Sequence, residues 1–64
     1  MVKINGEEKN IVGKTIAEYL TESGYDLRRV AVELNGDILP KAQYGNIVLQ
    51  DGDSVEIVSF VGGG

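Results

Sequence analysis

Two Asn-Gly pairs constrain this chain more than any other feature. Asn5-Gly6 and Asn35-Gly36 each place side by side two residues that tolerate φ > 0, the requirement of a two-residue hairpin turn. Each pair closes an alternating run. Val2 and Ile4 alternate with Lys3 and Asn5, and Val30, Val32 and Leu34 alternate with Ala31, Glu33 and Asn35. That period of two marks a half-buried strand. The pattern predicts a first hairpin, with a strand from Met1 to Asn5 and a return strand over Lys9 to Val12 that Gly13 breaks. It predicts a third strand over Val30 to Leu34, then a turn and a short extended piece, Ile38-Leu39-Pro40, which Pro40 keeps at an edge or ends.

Between the hairpins, Thr15-Ile16-Ala17-Glu18 has the T-x-x-E form of a capping box, in which side chain and backbone satisfy each other's free amides. Ile16, Tyr19 and Leu20 then share one helical face, and Gly24 suits the left-handed position after the last turn. A helix from Thr15 to Ser23 is too short to stand alone and must pack on a sheet. Ala42 to Gly45 reads as a turn or a single loose helical turn, Ile47-Val48-Leu49 as a short strand, and Asp51-Gly52-Asp53 as a turn. Ser54 to Phe60 is the last strand and the most β-prone segment. The order defines an α+β domain: a mixed, twisted sheet with one main helix packed on one face.

With 64 residues, there is room for one domain. It has neither Cys nor His, so disulfides are excluded, a reducing compartment is the natural reading, and a metal staple is not expected. Packing alone must supply a stability of roughly 3–5 kcal/mol. The formal charge of −4 disfavours nucleic acid, and Arg28-Arg29, the only basic cluster, reads as solvated charge. No apolar stretch is long enough to span a bilayer, and no signal peptide is evident, so a cytoplasmic protein, monomeric when free, is expected. Asp51 and Asp53 read as turn residues, not a metal pair. Tyr19 belongs to the helix face, and Tyr25 and Tyr44 are expected partly buried near turns. No serine or lysine has a recognisable base beside it, so no catalytic residue is assigned and chemistry is expected in trans.

After Phe60 come Val61-Gly62-Gly63-Gly64. Fully extended, these four residues reach at most about 14 Å. Such a tail can be a frayed end. Residues without Cβ can also pass a narrow channel and leave a carbonyl open to attack. A carboxylate at Gly64 could attack the α-phosphate of ATP in another protein's active site, giving an acyl-adenylate. The tail, residues 61–64, is expected to be mobile in the free protein, distinct from a folded domain over residues 1–60.

The chain resembles the thiamine-pathway sulfur carriers (ThiS) of the ubiquitin-like superfamily. The residues that carry this resemblance are Ile4-Asn5-Gly6, Val32-Glu33-Leu34-Asn35-Gly36, Gln50-Asp51-Gly52-Asp53 and the closing run Val55-Glu56-Ile57-Val58-Ser59-Phe60-Val61-Gly62-Gly63-Gly64. The resemblance implies a β-grasp fold. It implies that an E1-like, ATP-dependent enzyme (ThiF) adenylylates Gly64. Sulfur, drawn ultimately from a cysteine desulfurase in many systems, then replaces AMP, and the thiocarboxylate supplies thiazole synthase (ThiG). Gly63 belongs to the same motif, and Gly62 extends it. No bound cofactor is implied, since ATP and the sulfur donor serve the partner enzymes.

Strand parity adds a docking surface. If Val55 and Ile57 face the core, then Glu56, Val58 and Phe60 face away, and Val58 and Phe60, with Val61 next to them in the tail, are the expected partner-binding residues. The alternative is a local twist that tucks Phe60 inward. Other functions remain open: a carrier for molybdopterin or sulfur amino acid synthesis, conjugation to lysines, or a β-grasp interaction module with no acyl chemistry.

Overall fold

A computed structural model describes residues 1–60. Five strands form one mixed sheet: β1 (Val2–Ile4), β2 (Glu7–Lys9), β3 (Val30–Leu34), β4 (Asp37–Leu39) and β5 (Ser54–Ser59). Their spatial order is β2-β1-β5-β3-β4. β1 and β5 run parallel, and the other neighbours are antiparallel. Helix α1 (Ile16–Glu22) lies between the two hairpins in sequence and buries Ile16 and Leu20.

Both Asn-Gly turns form as expected. Asn5 and Asn35 have φ of 50° and 52°, followed by Gly6 at 85° and Gly36 at 89°. The two-residue turn sets the first hairpin's register at once: Ile4 faces Glu7, Lys3 faces Glu8 and Val2 faces Lys9. This corrects the expected return strand. β2 is Glu7–Lys9, not Lys9 to Val12. The apolar pair Ile11-Val12 drew the sequence reading downstream, but turn geometry, not hydrophobicity, fixes where pairing starts.

The helix has the expected ends. The Glu18 amide donates to Thr15 Oγ1 at 3.0 Å, and the Thr15 amide donates to Glu18 Oε1 at 2.8 Å. At the other end, the Gly24 amide donates to the Thr21 carbonyl (3.1 Å) and the Tyr25 amide to the Leu20 carbonyl (2.9 Å). That is the paired closure which a left-handed residue after the last turn permits.

Val2, Ile4, Val30, Val32, Val55 and Ile57 from the sheet meet Ile16 and Leu20 from the helix, with Tyr44 and Leu49 completing the buried core. Two expectations change here. Tyr44 is buried, at 4% exposure, and not merely partly covered. Burial pushes its phenol pKa up, with the Val32 backbone acting in the opposite direction. Ile47-Val48-Leu49 is not a strand. It makes an isolated bridge between Val48 and Thr15, and Leu49 bonds to the loop before the helix: the Gly13 amide donates to the Leu49 carbonyl (2.9 Å) and the Leu49 amide to the Lys14 carbonyl (2.8 Å). A loop partner satisfies these groups without building a ladder, while Leu49 still fills the core. Two short 3-10 turns, Leu27–Arg29 and Lys41–Gln43, complete the connections.

Candidate functional site: the outlet of the central strand

β5 is the middle strand of the sheet, paired on both sides. Along it Val55 and Ile57 are buried, while Glu56, Val58 and Ser59 are exposed. The parity reading therefore holds, and no twist tucks Phe60 inward: it is 51% exposed and Val58 is 57% exposed.

Side chains from both hairpin turns hold this strand. Asn5 Oδ1 accepts from the Ile57 amide at 2.7 Å, and Asn5 Nδ2 donates to the Ile57 carbonyl at 3.3 Å. The carboxamide thus continues the β1–β5 ladder where β1 has turned away. On the other side, Asn35 Oδ1 accepts from the Ser54 amide (2.9 Å), and Asn35 Nδ2 donates to Asp53 Oδ1 (3.1 Å). Asp53 Oδ2 in turn accepts from the Gln50 amide at 2.9 Å, closing the turn that launches β5. The Asp51-Gly52-Asp53 segment is therefore a turn, as read from sequence. Asp51 pairs with the Met1 amino group, which lowers the Asp51 pKa and raises that of the amine. The sequence revealed the turn-forming role of each Asn-Gly pair but not the clamp, because both roles use the same residue.

The strand stays tied to the sheet up to its outlet: the Phe60 amide donates to the Arg29 carbonyl at 2.7 Å. The basic residues nearest this anchor in sequence are engaged. Arg28 Nε lies 3.3 Å and Arg29 Nε 3.6 Å from Asp26 carboxylate oxygens, and Lys41 Nζ donates to the Arg28 carbonyl at 2.9 Å. Arg28, bonded to the Asp26 side chain, holds that carboxyl below its ordinary range. Val61, Gly62, Gly63 and Gly64, and the expected mobility of the glycines, lie outside the described residues. Among the described residues there is no group of three or more potential metal ligands, and no helix is long and apolar enough to cross a membrane.

A mixed five-strand sheet with parallel β1 and β5 and a single main helix on one face defines the ubiquitin-like β-grasp class. Within that class, residues 2–64 match the family described as the ThiS family, and the chain belongs to it. It is 42% identical over 64 residues to a sulfur carrier protein ThiS of Thermus thermophilus, covering 100% of both chains. It is also 50% identical over 62 residues to a thiazole synthase of Paramagnetospirillum magneticum, covering 95% of this chain but only 19% of that protein. The chain thus spans about a fifth of this longer relative. A crystal structure of the thiamine biosynthesis protein ThiS from Geobacter metallireducens superimposes with a TM-score of 0.75 at 30% identity, over 98% of this chain and 97% of the other.

Proposed function

We propose that this chain is a cytoplasmic sulfur carrier of thiamine biosynthesis. Its Gly64 carboxylate attacks the α-phosphate of ATP in an E1-like enzyme, forming an acyl-adenylate and releasing pyrophosphate. A sulfide-level donor then attacks the acyl carbon. The bond to AMP breaks, a carbon–sulfur bond forms, and the thiocarboxylate passes to thiazole synthase. The chain itself is a substrate, with every catalytic group supplied in trans.

The observation that carries this reading is the position of the glycine run. It lies inside the stretch matched by the family and follows directly from a central strand held by two asparagine clamps and the Phe60 amide. A rigid strand fixes where the tail begins, and residues without Cβ let the backbone enter a narrow site. The likeness to a ThiS protein along its whole length supports the carrier role. The likeness to part of a thiazole synthase supports that enzyme as the acceptor. Val58 and Phe60, exposed just before the tail, supply the apolar centre of docking, with Val61 continuing it.

The test is a reconstituted transfer with the activating enzyme, ATP and a sulfur donor. Deleting Gly64, or extending the chain past it, abolishes sulfur transfer and leaves thermal unfolding unchanged. Transfer that survives either change contradicts the reading.

A further inference from the structure

The open face of the sheet carries a pair of residues that folding alone disfavours. Register sets Glu33 on β3 directly opposite Glu56 on β5. Directly opposed residues on one face have Cβ atoms roughly 4.5–5.5 Å apart, and like charges there destabilise the sheet. Among the described residues neither carboxylate belongs to an ion pair. Lys3, on the same face, sits opposite Ser54 on one side and Glu8 on the other. On the side of the acidic pair away from Lys3 the face is apolar. Ala31 is opposite Val58, and Ile38 is opposite Glu33. Ile38 is 78% exposed, more than any other large apolar residue among those described. These side chains line a groove of ≈ 330 Å³.

Resting on the sulfur-carrier reading, we propose that Glu33 and Glu56 form a receptor for one basic side chain of thiazole synthase and thereby set which partner the docking face accepts. Charge complementarity points to a cation, and the likeness of this chain to part of a thiazole synthase points to that enzyme as the one that carries it. Two carboxylates with no internal partner match the forked donors of a guanidinium. The surrounding Ala31, Ile38 and Val58 match the apolar stem that carries such a group. The cation also removes the Glu33–Glu56 repulsion, so the free protein is held in a state that binding relieves. A residue pair kept for binding at the expense of the isolated fold has a distinctive signature: neutralising it improves stability and impairs recognition.

The experiment measures affinity for thiazole synthase of the same organism, together with thermal unfolding. The proteins are the wild type, a Glu33→Gln/Glu56→Gln double variant and Glu33→Lys. The double variant is expected to melt a few degrees higher and to bind about 10-fold or more weakly, as loss of a desolvated charge pair does. Its binding should also depend less on salt. Glu33→Lys, which sets opposite charges across the strands, should melt higher still and bind most weakly. Unchanged affinity in both variants, with the wild type binding, overturns this proposal and leaves the carrier reading standing. Lower melting of the double variant also overturns it. If the wild type itself does not bind thiazole synthase, the carrier–acceptor reading fails and this proposal fails with it.

Discussion

Asn5 does two jobs with one side chain. Its backbone takes the left-handed turn at φ 50°, and its carboxamide brackets Ile57 through two bonds. Asn5→Gly keeps the turn and removes the bracket. The Ile57 amide then loses its partner, so the variant is expected to lose about 1–2 kcal/mol and to melt roughly 4–8 °C lower for each kcal/mol lost, as chemical and thermal unfolding will measure. A variant as stable as the wild type would mean the bracket contributes nothing. Phe60 makes the opposite case. Being half exposed, it contributes little to the core, so Phe60→Ala is expected to change melting slightly. Loss of an apolar anchor should nevertheless weaken partner binding by about 2 kcal/mol, on the order of thirtyfold. A core phenylalanine would behave differently, losing roughly 3–5 kcal/mol of stability on truncation, and that outcome would remove Phe60 from the proposed docking surface.

At the scale of elements, the features legible in the sequence were those in which local chemistry decides. The capping box, the glycine after the helix and the two Asn-Gly turns each act within a few residues, and each formed as read. The parity of β5 was legible for a related reason, since period two leaves no freedom once Val55 and Ile57 are inside. What the sequence hid was decided by partners distant in the chain. Ile47-Val48-Leu49 has the composition of a strand, but its neighbour in space is the Gly13–Thr15 loop. Glu7-Glu8-Lys9 has the composition of a loop, but the turn before it forces it onto β1. Tyr44 resembled a turn residue until the space beneath the helix claimed it. The caps also shape the acid response. Bonds from the Thr15 backbone and side chain lower the Glu18 pKa, and Arg28 and the Met1 amine lower those of Asp26 and Asp51. A depressed folded pKa contributes stability that is present above the unfolded value and lost as pH falls through the folded one. Melting temperature should therefore hold steady near neutrality, where no histidine titrates, and fall once pH drops below the ordinary carboxylate range. Glu18→Gln should make that acid fall shallower. An equally steep fall would show that the capping carboxylate plays no part in it.

Across the whole molecule, the sheet divides into a face that holds the core and a face that is left open. One face, under the helix, holds every buried apolar side chain of the strands. The other is left open with Ala31, Ile38 and Val58 around two unpaired carboxylates, and Phe60 stands at the outlet of β5. The clamped central strand joins the two, because the chain that anchors the core also leads to the glycine run. The fold was legible because a domain this small has few ways to bury its apolar residues. Of the site, the glycine run and the exposed strand face were legible, while the asparagine clamps and the Glu33–Glu56 juxtaposition needed the register. The chemistry proposed for this chain comes down to one exchanged atom at Gly64. Intact mass spectrometry after incubation with the activating enzyme, ATP and a sulfur donor should show a gain equal to one sulfur replacing one oxygen, mapped by fragmentation to the Gly64 carboxyl group. An unchanged mass, or a gain mapped to any other residue, would contradict a sulfur-carrier role.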